Sequence, residues 1–207
     1  MEQVNNGENG VIGVCRRKKN DKDPVVFYTD HLVMKGQNVK YTDVDTISLY
    51  ASTMKSGILF ANFSGFIKFK LRDGKKLKWK IGGLSFVGLG SIKLKKELFG
   101  DMYEACLSTV ISTRAAEYLT QINNGGTITI GNISVNANTI SGKAGLKKTE
   151  VPVTQVGGAD LSSCNVCIYG TDMQRTVVNP MSSNIDNAVC LIPIMRTLAA
   201  RNTAQPQ

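Results

Sequence analysis

The sequence predicts an α+β protein built mainly of antiparallel strands, and three observations carry that expectation. Short β-branched and aromatic segments, punctuated by Gly, Asn and Asp, fill the chain up to residue 81. The apolar period then changes from two to three-and-four across 101–122. Past Asn123-Asn124-Gly125-Gly126 the same order returns, strands first and one helix last.

Strands are expected at 11–17, 25–28, 32–35, 39–41, 46–52, 58–63, 66–72 and 76–81, with Ser64-Gly65 as a break or bulge between the sixth and seventh. GGLSFVGLG, residues 82–90, reads as a flexible connection. Tyr103, Leu107, Val110, Ile111, Tyr118, Leu119 and Ile122 define a helix over 101–122 that can cover a sheet, preceded by a turn at 91–98 and broken or bent at Gly100. Further strands are expected at 127–130, 133–135, 139–141, 151–156, 165–169 and 175–178. A last helix follows over 184–200, capped by Ser182, Ser183 or Asn184, with Pro193 expected to kink it or to remove one of its hydrogen bonds. The division is thus a first domain at 8–124, a smaller second domain at 125–201 and a flexible tail at 202–207.

The most distinctive stretch is KFKLRDGKKLKWK, residues 68–80, with seven basic residues in thirteen positions. Side chains alternate faces along a strand, so Lys68, Lys70 and Arg72 share one face, and Lys76, Lys78 and Lys80 continue it after the turn. An even loop at Asp73-Gly74 would set lysines opposite leucines. The pattern therefore demands an odd loop, taken as Asp73-Gly74-Lys75, which pairs Lys70 with Lys78, Arg72 with Lys76 and Lys68 with Lys80, and turns the hairpin's aromatics inward. Such a face is either a solvated surface that discourages edge pairing or an anion site.

Composition narrows the partner. The formal charge is +9, and it is uneven: residues 1–124 hold 19 Lys and Arg against 12 Asp and Glu, a net of +7, and the remainder holds 6 against 4, a net of +2. An anionic partner is expected for the first half. The start, MEQVNNGENG, is polar, Glu2 does not permit myristoylation, and no apolar run is long enough to span a bilayer. Five scattered cysteines do not resemble a disulfide framework, so the expected setting is cytoplasmic, with peripheral membrane contact open.

Catalytic patterns are weak. His31 is the single histidine and lies in a turn. Cys164 and Cys167 have CxxC spacing, yet no second pair or nearby histidine completes a metal site. Asp43 and Asp45 have no acidic counterpart, and Gly88-Leu89-Gly90-Ser91 lacks the pattern of a phosphate loop. Neither a catalytic residue, a metal nor a cofactor is expected.

FYTDHLVMKGQNVKYTDVDTISLY resembles the opening of bacterial pleckstrin-homology-like (PH-like) domains, and TITIGNISVNANTISGKAGLKKTEVPVTQV is similar to the same opening, with Val153 where the family often has tryptophan. The resemblance implies two tandem PH-like units, each a curved sheet or partly open barrel followed by one C-terminal helix, acting as a binding or scaffolding module rather than an enzyme. Phosphoinositide-binding members use basic residues in their first hairpin, the place held here by Arg16, Arg17, Lys18 and Lys19. These four, with Lys68, Lys70, Arg72, Lys76, Lys78 and Lys80, are the candidate anion-binding residues, and a membrane surface or an acidic protein is the expected partner. Nucleic-acid binding and an assembly protein associating through its sheets are the alternatives. The first normally brings aromatics out among the cations; the second would show concentration-dependent oligomers.

Overall fold

The computed structural model describes residues 10–18, 20–56, 60–85 and 89–204. The chain is α+β with antiparallel sheets, and it divides into two compact units, Met1–Val110 and Ile111–Gln207. The sheets are open, and none of the described ones closes into a barrel.

In the first unit, β1 (Val11–Cys15), β2 (Val25–Tyr28), β3 (His31–Met34) and β4 (Gln37–Lys40) form a four-stranded meander. The β3–β4 turn is Lys35-Gly36, with φ of 52° and 69°, which is the left-handed pair that a two-residue hairpin loop needs. A 3₁₀ turn at Tyr41–Asp43 swings the chain into a second meander of β5 (Val44–Ser56), β6 (Phe60–Leu71) and β7 (Lys76–Ser85). Buried Tyr41 anchors that corner: its hydroxyl donates to the Tyr28 carbonyl and its backbone N–H to the Asp30 carbonyl at 3.1 Å. Phe27, Leu32, Ile47, Leu49, Ile67 and Phe69 are fully buried and form the core between strands. Each such side chain contributes about 1.5–3 kcal/mol by leaving water.

The expected break or bulge at Ser64-Gly65 does not occur, since β6 runs through both residues and pairs with β5 there without a register shift. Gly65 serves packing instead. A Cβ there would lie 2.7 Å from the Phe99 ring, so the missing side chain lets the helix α1 (Leu89–Cys106) approach the sheet. Gly100 does not break α1 either, because tertiary packing of Phe99 and Met102, both buried, outweighs the local cost of one glycine, about 1 kcal/mol. The irregularity falls later, in a π-helical turn at Leu107–Ile111. There Ser108 bonds the Glu104 and Ala105 carbonyls and Thr109 bonds Ala105, which loosens the backbone ladder.

The second unit repeats this order. After α2 (Ser112–Asn123), stopped at Gly125 by bonds from Gly125 N–H to Ile122 and Gly126 N–H to Gln121, comes a four-stranded meander of β8 (Ile128–Ile130), β9 (Ile133–Val135), β10 (Thr139–Ala144) and β11 (Lys147–Pro152). A 3₁₀ turn at Val153–Gln155 leads into β12 (Val156–Ser162), β13 (Asn165–Gly170) and β14 (Met181–Ser182), and α3 (Leu191–Ala204) ends the unit. The corner is built as in the first unit. Val153 is buried, its N–H donates to the Asn138 carbonyl at 2.8 Å, and the next strand opens on a register shift, at Val156/Gly158 here and Val44/Thr46 there.

Two expectations fail in this unit. The region 175–178 is not a strand beyond a single bridge from Thr176 to Tyr169; the partner of β13 is instead β12, whose glycines hid it from a propensity reading. Pro193 does not interrupt α3 and removes none of its hydrogen bonds, because the helix begins only at Leu191 and proline in a first turn forfeits no intrahelical bond. Leu191, Ile192, Ile194, Met195 and Leu198 make its buried stripe.

Candidate anion-binding site

The β6–β7 hairpin sets the geometry of the basic ladder. Its loop is odd, as the charge alternation requires, but it comprises Arg72-Asp73-Gly74: Leu71 N–H bonds the Lys75 carbonyl at 2.8 Å and Gly74 N–H bonds Leu71 at 2.9 Å. Gly74, at φ 86°, supplies the left-handed residue, and the Asp73 carboxylate accepts from Lys75 N–H at 2.9 Å. The register is therefore two positions from the expected one, with Lys70 opposite Lys76, Lys68 opposite Lys78, and Phe66 opposite Lys80. The side-chain bond of Asp73 selects this turn over the one centred on Gly74-Lys75.

Three consequences follow for the cations. Arg72 leaves the ladder and braces the β4–β5 corner, its Nε donating to Thr42 O at 2.7 Å and its backbone N–H to Asp43 O at 2.9 Å. Lys70 pairs with Asp45 at 3.3 Å. Third, Phe66 and Tyr50 form an aromatic pair on the lysine face just outside the 68–80 stretch, whose own aromatics, Phe69 and Trp79, turn inward as expected. Phe66 stacks on Tyr50 at 5.6 Å between centroids, and Lys78 Nζ lies 3.9 Å from the Phe66 centroid. Trp79, by contrast, is buried on the inner face near Phe99.

The basic loop after β1 is organised by one carboxylate. Asp21 accepts from Arg17 Nε at 2.9 Å, from Nη2 at 2.8 Å and from the Arg17 backbone N–H at 2.9 Å. This bidentate grip, led by the side-chain bond from Arg17, holds the Asp21 carboxyl down at about 2. Arg17 is thus a loop fastener. Arg16 is half-buried, Lys18 is exposed, and Lys19 lies outside the described residues.

A cleft of about 470 Å³ opens beside this loop. Its lining brings together Arg17, Lys18 and Lys22 from the loop, Lys80 and Gly82 from β7, and Lys95 from α1, with Asn20, Asp21 and Asp23 among them. Two of the clusters expected from sequence therefore meet in space at Lys18 and Lys80. Lys22 and Lys95 were not among the expected residues. Lys22 carried a signal in the basic loop itself, whereas Lys95 reaches the cleft only through the packing of α1. The remaining ladder residues, Lys68, Lys70, Lys76 and Lys78, stay on the sheet face and do not line the cleft.

Other expected chemistry takes structural roles. His31 Nδ1 is 2.7 Å from Asp30 Oδ1 and the ring stacks on Tyr28 at 4.4 Å. The hydrogen bond to His31 lowers the Asp30 carboxyl below its ordinary range. Cys164 occupies the β12–β13 turn at φ 61°, while Cys167 is buried in β13. Among the described residues, no helix is long and apolar enough to cross a membrane. No protein-family model matches the chain, and no curated protein matches it.

Proposed function

We propose that this chain is a tandem PH-like, non-catalytic binding module whose first unit recognises a phosphate-bearing anionic membrane surface. The observation that carries this reading is the cleft in which Lys18, Lys22, Lys80 and Lys95 converge from a loop, a strand and a helix. Cations delivered to one cleft by three separate elements suit a compact multivalent anion, which several of them can contact at once. The PH-like reading draws support from the repeated order of four strands, a 3₁₀ corner, three strands and a helix. The lysines of the sheet face would add longer-range attraction, weakening as salt rises.

The test is co-sedimentation with anionic and neutral vesicles at low and moderate salt, comparing wild type with a Lys18/Lys22/Lys80/Lys95→Gln variant. Salt-sensitive binding to anionic vesicles that the variant loses supports the reading. Binding that the variant retains removes the cleft from it, and wild-type capture of an acidic protein with no vesicle binding replaces the membrane by that partner.

A second reading has its own observation. The Tyr50–Phe66 stack among lysines offers the aromatic and cationic mixture used for single-stranded nucleic acid, where each stacked base is worth about 1–3 kcal/mol. An RNA or DNA mobility shift abolished by Tyr50→Ala and Phe66→Ala, with no vesicle binding, would favour it.

A further inference from the structure

The β10–β11 hairpin of the second unit carries a feature that its first-unit counterpart lacks. The β3–β4 hairpin has four-residue arms and a polar Lys35-Gly36 tip, whereas β10 and β11 pair over six residues each, from Thr139↔Pro152 to Ala144↔Lys147. Two further residues per arm extend a hairpin by roughly 7 Å. Beyond Ser141 the β10 arm has no partner from β9. At the tip, Gly145 takes the left-handed conformation at φ 64°, and Leu146 is 99% exposed, the extreme among the described large apolar side chains.

This tip is held in place. The Asn179 side chain accepts from Gly145 N–H at 2.8 Å and donates to Gly145 O at 2.8 Å, while its backbone N–H bonds the Lys143 carbonyl. Gly142 packs closely enough that a Cβ would meet Val178 at 3.0 Å. A chain segment is thus committed to presenting a leucine to the outside at fixed height. Around it stand three exposed lysines: Lys143 and Lys148 directly opposite one another on one face of the hairpin, and Lys147 opposite Ala144 on the other. Glu150, also exposed, is the nearest acidic residue along β11. Like charges placed face to face are destabilising in a free hairpin.

We propose that this hairpin is a membrane-inserting tip: Leu146 enters the acyl boundary of a bilayer while Lys143, Lys147 and Lys148 contact anionic headgroups. The chemistry matches both layers of such a surface, an apolar side chain at the apex and cations in the first two residue rows behind it. Burial of one leucine with about three juxtamembrane charges gives weak, reversible attachment, so the tip works as one of two signals. The inference rests on the reading that the partner is an anionic membrane, but it uses residues distant in sequence from the cleft and stands or falls separately.

The experiment uses full-length protein with Leu146→Trp, against vesicles with and without anionic lipid, some carrying brominated acyl chains. Wild type, whose Trp79 is buried, supplies the baseline. The expected result is a blue shift and bromine quenching of the tryptophan introduced at position 146, on anionic vesicles only. Leu146→Asn should weaken partitioning about 10-fold, and each Lys→Gln change about fivefold. The thermal transitions of the Leu146 variants should match that of the wild type, since this side chain is exposed, and the Lys143 and Lys148 changes should not lower it, since they relieve a like-charge pair. Vesicle binding that requires the cleft lysines, with no quenching at position 146 and no loss in Leu146→Asn, overturns this inference and leaves the reading of the first unit intact. Absence of vesicle binding in wild type overturns both.

Discussion

Lys78 Nζ sits 3.9 Å from the centroid of the Phe66 ring, on the outer face of β6 and β7. The contact exists because the hairpin turns at Arg72-Asp73-Gly74, which places Lys80 rather than Gly82 opposite Phe66 and Lys78 diagonal to it. A half-buried ring contacted by Lys78 and stacked against Tyr50 ties three strands together. Phe66→Leu is expected to lower stability by about 1 kcal/mol, the sum of a modest cation–π contact and a cross-strand pair. Urea denaturation should show a lower midpoint with an unchanged slope.

Gly65 and Phe99 make a tighter claim on packing. Because a Cβ at position 65 would lie 2.7 Å from the ring, Gly65→Ala should force Phe99 or α1 to shift and cost about 1–3 kcal/mol. Thermal unfolding of this variant should move well below that of Gly74→Asn, where nothing lies within 4 Å and asparagine tolerates the left-handed backbone.

Much of the fold was legible because it rests on local signals. Strand alternation over 66–71 and 76–81, the stop at Gly125-Gly126 and the three-and-four spacing through 122 all express periodicity, and each has its element in the structure. What escaped depended on partners remote in sequence. Gly65 and Gly100 read as breakers when taken alone, yet one is a contact site for Phe99 and the other is carried through by α1. The strand β12 was hidden because Gly157 and Gly158 depress its propensity while pairing with β13 restores it. In the site, the parity of the hairpin loop followed from charge alternation, but its register followed from the Asp73 side chain. Lys95 joins the cleft only through the docking of α1, which no spacing encodes.

The Asp21 carboxyl, held at about 2 against an ordinary 3.8 by Arg17, gives a pH test. A carboxylate with a depressed folded-state value contributes stability that is fully present above its unfolded value, near pH 4, and is lost as pH falls toward 2. Asp21→Asn should therefore lower stability at neutral pH and flatten the acid limb between about pH 4 and 2. Stability curves measured by chemical denaturation across that window check it. An unchanged acid limb would mean that the Arg17–Asp21 pair does not order the loop.

Thiol reactivity separates the five cysteines. Burial pushes Cys15 up to about 12, with Asp101 adding to it, and pushes Cys190 to about 12 as well. Cys106 is raised for the same reason, and Cys167 is buried. Only half-exposed Cys164 should react quickly with a thiol reagent at pH 8, the other four following on unfolding. Two or more fast thiols in the native protein would contradict the packing around β1, α1, β13 or the turn before α3.

The convergence of loop, strand and helix on one anion is tested most directly by a heteronuclear NMR titration of the full chain with a soluble inositol polyphosphate. The expected result is a set of saturable shifts at residues 17–23, 80–82 and 95 that share one dissociation constant, with smaller changes over 68–78. Shifts spread evenly along the 68–80 hairpin, without saturation at the cleft, would show that the cations act as a diffuse surface and contradict a built site.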